Sequence, residues 1–126
     1  MPRKSKAPGD RRALVVKELD KHFRSTIARD AKAVVMGGDE NLLSLMHLTS
    51  VSNALLSLNL GRISLVLKFL QQERLDLQLL LTAATALARE EKTTRVLPTI
   101  RRFQKQIAQL ETWMQALAIT LPPHTH

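Results

Sequence analysis

The stretch NLLSLMHLTSVSNALLSLNLG, residues 41–61, contains no Lys, Arg, Asp or Glu. Leu45, Leu48, Val51, Leu55 and Leu58 follow one another at three- and four-residue spacings, which is one face of a helix. Leu42, Met46, Leu56 and Leu60 form a second face. A helix apolar on two sides needs cover on two sides, so this stretch is expected at the centre of a helical domain. Ser44, Thr49, Ser50, Ser52, Asn53, Ser57 and Asn59 lie between the apolar positions and tolerate close helix contacts. The run is about as long as the ~20 residues of a membrane span. Asn41, His47, Asn53 and Asn59 are spread along it, however, and lipid demands that such groups be hidden or paired. The expectation is a buried helix in a bundle, with no membrane involved.

The charged residues flank this run. The chain of 126 residues has a net charge of +8 and no Cys, which removes disulfides, thiolate chemistry and Cys-based zinc sites together. Its length suits one domain with a real core. No apolar secretory run opens the sequence, so it reads as cytoplasmic. Leu and Ala dominate the apolar set and favour helix over strand.

Upstream, MPRKSKAPGD reads as a disordered arm, because its prolines, glycine and cations bring no apolar anchor to offset the entropy of ordering. Residues 1–9 are assigned to this arm, residues 10–121 to a single helical domain, and 122–126 to a disordered tail after Pro122-Pro123. Asp10 is placed to cap a first helix over about 11–36. Leu14 (or Val15), Leu19, Phe23, Ile27, Ala31 and Val34 form its apolar stripe, and Lys17, Lys21 and Arg24 line another side. Gly37-Gly38 supplies the stop. Asp39 then caps the central helix, with Glu40 near its positive end.

Downstream, Asn59-Leu60-Gly61 marks a break. Ile63, Leu65, Leu67 and Phe69 alternate, as do Leu75, Leu77, Leu79 and Leu81, in the manner of a β-hairpin around QQER. Scarce β-branched residues, and the helical run TAATALAREE, favour two helices instead, about 62–72 and 75–91. Lys92-Thr93-Thr94 is the next connection, with Thr94 a possible cap and Pro98 in or just before the first turn that follows. In the last helix Val96, Ile100, Phe103, Ile107, Leu110, Met114, Leu117 and Leu121 repeat at alternating spacings of four and three, a heptad seam. The fold class is therefore all-α, a compact bundle of four to five helices with a disordered basic N-terminal arm.

No catalytic set stands at a workable spacing, so the chain reads as no enzyme. His22 and Asp20 are two residues apart and point to different sides of a helix. His47 reads as packed or interfacial, and His124 and His126 at a chain tip make no metal site. Gly37-Gly38 precedes a helix, but no Lys-Ser/Thr pair follows to make a phosphate loop. No cofactor or metal is implied. LTSVSNALLSL has the look of a recognition helix, yet it lacks the preceding glycine turn and the cations that groove contact needs.

What remains is charge. Residues 92–105 hold Lys92, Arg95, Arg101, Arg102 and Lys105 with no acid. The seam puts Arg95, Arg101, Arg102 and Lys105 on positions b, c and f, so the cations share an exposed face. Arg3, Lys4, Lys6, Arg11 and Arg12 cluster near the start of the chain. Such groups neutralise phosphates and release counterions without reading bases. In size, helicity and charge the chain resembles the small helical subunits that line nucleic acid in CRISPR effector complexes, a likeness of overall character that rests on no motif. The expected function is that of a basic helical accessory protein, binding DNA or RNA by its phosphates within a larger assembly. The alternative is a helical adaptor for an acidic protein partner. A homodimer is also expected through the last helix, with Phe103, Ile107, Leu110, Trp113, Met114 and Leu117 near the contact.

Overall fold

A computed structural model describes residues 8–37 and 41–118. Four helices make it up: α1 (Pro8–Met36), α2 (Asn41–Asn59), α3 (Ile63–Glu91) and α4 (Leu97–Ala118). There is no strand among the described residues. The chain divides into two compact units. The first holds α1, α2, α3 as far as Phe69, and α4 from Ala116; the second holds Leu70–Gln115.

In the first unit α1 packs against α2. Helix α1 starts at Pro8, where proline is tolerated because a first-turn N–H has no acceptor. Asp10 therefore falls inside the first turn, not before it as the capping reading had it. Asp39 and Glu40 lie outside the described residues. Val15, Leu19 and Phe23 are buried as an apolar stripe, but the buried line then continues through Thr26 and Asp30. Ile27, Ala31 and Val34 are only half-buried. On α2 the covered face is Val51, Ala54 and Leu58, with Leu48 and Leu55 half-buried. The second apolar face of α2 is not covered. Leu42, Met46, Leu56 and Leu60 are 64%, 59%, 58% and 59% exposed. That corrects the expectation of a helix enclosed on both sides: α1 takes one face, and the other is exposed.

The break after α2 forms as its glycine requires. Gly61 has φ +73°, Arg62 N–H donates to Ser57 O at 2.8 Å, and Gly61 N–H donates to Leu58 O at 3.1 Å. This pair of bonds is a Schellman stop, which satisfies carbonyls that the end of a helix leaves open. The end of α3 repeats half of the device without glycine. Lys92 has φ 49°, and Thr93 N–H reaches back to Ala88 O at 3.2 Å.

Between these two stops α3 is one helix. The two-helix reading, with its break after residue 72, and the hairpin alternative are both overturned. No Gly or Pro occurs between Arg62 and Leu97, and Gln71-Gln72-Glu73-Arg74 are straight-chain residues that sit well in a helix. Gln72 Nε2 donates to Asp76 Oδ1 at 3.0 Å, an i,i+4 bond across the very place where the break was expected.

In the second unit, Leu70, Ile107, Leu110, Trp113 and Met114 are buried. Arg74 of α3 approaches Glu111 of α4 at 3.7 Å. The turn before α4 is held by Thr93, whose Oγ1 accepts the Arg95 N–H at 3.1 Å, so Thr93 and not Thr94 supplies the side-chain oxygen. Pro98 stands in the first turn, as expected. Leu121 lies outside the described residues.

Candidate functional site

The α4 seam explains where its cations go. Ile107, Leu110, Met114 and Leu117 face inward, and Val96, Ile100 and Phe103 are half-buried. The intervening positions turn outward, so Arg101, Arg102 and Lys105 are exposed, as is Arg95 in the turn before the helix. Within the helix Arg101 and Lys105 stand one turn apart on the same side, and Arg102 lies about 100° round from Arg101. The Arg102 guanidinium carbon is 5.6 Å from the centroid of the Phe103 ring, a cation–π approach that steadies a long side chain. The first acid after this segment is Glu111, already drawn toward Arg74. A ligand with spaced negative charges meets cations here without an interleaved carboxylate.

Arg11 is exposed and Arg12 half-buried near the start of α1, in the first unit. Arg3, Lys4 and Lys6 lie outside the described residues. Lys17, Lys21 and Arg24 are exposed on α1, but Arg24 Nε is occupied by Asp20 at 2.9 Å.

The residues expected at a homodimer contact are placed differently. Ile107, Leu110, Trp113, Met114 and Leu117 are buried within the chain itself, and Phe103 is half-buried. A seam covered from Ile107 to Leu117 leaves little surface to offer a second copy. The α4 seam is therefore core, and the contact assigned to these six residues is withdrawn.

One arrangement was not legible in the sequence. Asp30 on α1 is 8% exposed, and its Oδ2 lies 2.6 Å from Nδ1 of His47 on α2. The His47 ring stacks near Phe69 at 6.5 Å and 30°, and Phe69 meets Phe23 edge-on at 5.5 Å and 88°. Arg29 reaches the other Asp30 oxygen at 3.9 Å but is largely exposed, so it adds little. A buried carboxylate needs such a partner, and a carboxylate hydrogen bond fixes the orientation of an imidazole. The pair ties α1 to α2 across the polar end of their contact. His47 was expected to be packed or interfacial, but the sequence pointed to no partner, because Asp30 lies 17 residues away. Among the described residues no group of three or more His, Asp or Glu is placed to hold a metal ion. No helix there is long and apolar enough to cross a membrane.

Comparison with protein-family models, with characterised proteins and with solved structures finds no match for this chain.

Proposed function

We propose that this chain is a non-enzymatic accessory subunit, a helical bundle with a basic N-terminal arm, that holds nucleic acid through its phosphates inside a larger assembly. The observation that carries the reading is the acid-free exposed set Arg95, Arg101, Arg102 and Lys105. Helix exteriors ordinarily intersperse both signs of charge, whereas here the cations stand alone up to Glu111. In this reading the α4 cations are a fixed platform, and Arg3, Lys4, Lys6, Arg11 and Arg12 act as a clamp. Contacts to phosphate discriminate neither base sequence nor, of themselves, DNA from RNA.

The test is fluorescence anisotropy with labelled single-stranded and duplex oligonucleotides. Four phosphate contacts imply that affinity falls roughly 100-fold between 50 and 200 mM salt. A triple variant, Arg101→Glu, Arg102→Glu and Lys105→Glu, loses binding while keeping its helicity. No binding of either oligonucleotide at 50 mM salt ends the reading.

A second reading, an adaptor for an acidic protein, has its own support. Leu75, Leu79, Leu80 and Leu87 on α3 are exposed, which is a large apolar surface for a nucleic-acid platform alone. Pull-down with and without nuclease separates the two. A protein partner that survives nuclease treatment favours the adaptor, and loss of every partner counts against it.

A further inference from the structure

The uncovered face of α2 is ordered, not merely apolar. Leu42, Met46, Thr49, Asn53, Leu56 and Leu60 succeed one another at spacings of four, three, four, three and four. That is a second heptad seam, with Leu42, Thr49 and Leu56 at d and Met46, Asn53 and Leu60 at a. All six are exposed. At 100° per residue the seam lies on the side of α2 opposite Val51, Ala54 and Leu58, the face buried within the chain.

From this we infer that α2 pairs in parallel with α2 of a second copy of this chain, with Asn53 facing Asn53 across a two-fold axis. Three observations choose that occupant. The first is charge. The chain carries +8, which opposes self-association over most of its surface, but residues 41–61 carry none. The flanking e positions are Leu43, Ser50 and Ser57, and the g positions are Leu45, Ser52 and Asn59. An acidic or basic partner helix finds no counter-charge there, whereas a second copy meets no repulsion.

The second observation is Asn53. An asparagine at a single a position is the side chain that sets register in two-stranded parallel pairs, because it is satisfied only opposite its own counterpart. Thr49 supplies the third. Its hydroxyl already donates to Leu45 O at 3.0 Å, so it enters a seam with its donor satisfied and presents its methyl group. In an antiparallel pair Asn53 faces Thr49, whose proton is already committed. In a parallel pair it meets another amide. Leu43 and Leu45, 74% and 47% exposed, widen the apolar contact on both flanks.

This inference does not rest on the phosphate-binding reading, and salt separates the two. Phosphate contacts weaken as salt rises, whereas an uncharged seam does not. Sedimentation equilibrium of the full chain, free of nucleic acid, is expected to show a dimer at tens of micromolar that persists in 1 M salt. Met46→Glu with Leu56→Glu weakens association by about two orders of magnitude or more, since each charge must otherwise be buried. Because both side chains are exposed, the circular dichroism of that variant stays helical. Leu56→Cys in this cysteine-free chain forms a disulfide-linked dimer on oxidation. An antiparallel pair would hold those two sulfurs about 15 Å apart along the axis and give no cross-link. The inference is overturned by a wild type that stays monomeric at high micromolar concentration, by a dimer untouched by the double Glu variant, or by a dimer that Leu56→Cys fails to cross-link.

Discussion

Asp30 and His47 meet at 2.6 Å between α1 and α2, a polar contact that joins the buried face of α1 to α2. Asp30 belongs to the continuous line Val15, Leu19, Phe23, Thr26 and Asp30 that α1 turns inward. A carboxylate on such a line is tolerated only because the imidazole satisfies it.

The pair is therefore expected to couple. Asp30→Ala and His47→Ala each lower stability in urea unfolding, and a double-mutant cycle gives an interaction of about 1.5–3 kcal/mol, as for hydrogen bonds to charged groups. The lower half of that range is the safer expectation, because a third of the His47 side chain is open to water. A coupling energy indistinguishable from zero would show that the two groups merely lie close.

Leu110 tests whether the α4 seam is core. It is 5% exposed, so Leu110→Glu must bury a carboxylate where a leucine packed. The expected loss is at least about 3 kcal/mol, in the range of large core substitutions. Loss of helical circular dichroism at 25 °C, or a much lower urea midpoint, is the readout. A Leu110→Glu protein as stable as the wild type would return this seam to the surface.

Gly61 tests the stop between α2 and α3. Its φ of +73° is the left-handed region, and no atom lies within 4 Å of where a Cβ would stand, so backbone strain alone decides the outcome. Gly61→Ala is expected to cost about 1–2 kcal/mol, and Gly61→Asn less, because asparagine tolerates this conformation. Equal thermal midpoints for the wild type and the Ala variant would refute the assignment.

Much of the local architecture was legible before any coordinates. The stop at Gly37, the break at Gly61, Pro98 in the first turn of α4 and the outward α4 cations all rest on short-range rules. Backbone conformation at a glycine, the missing N–H of a proline and the 3.6-residue repeat act within one or two turns. Positions on one helix therefore report them directly. The same locality explains the misread middle of α3. Alternating leucines fit a strand as well as a helix over a short window, and the helix prevails because nothing in Gln71–Arg74 breaks it.

Burial is a different kind of quantity. It depends on what stands opposite, and a repeat along one helix does not contain that information. By pattern, α2 has two apolar faces of equal standing; only packing shows that Val51, Ala54 and Leu58 are covered and Leu42, Met46, Leu56 and Leu60 are not. The α4 seam had the same pattern as a dimer contact and proved to be core. Asp30 is invisible to any count of apolar spacing, because its place inside was decided by a histidine 17 residues on. The sequence by itself determined where helices start, stop and turn their charges, since those follow from each residue's own backbone and its nearest turns. Tertiary structure alone decided which apolar face is satisfied within the chain and which is left exposed, because that choice is made between surfaces and not along one.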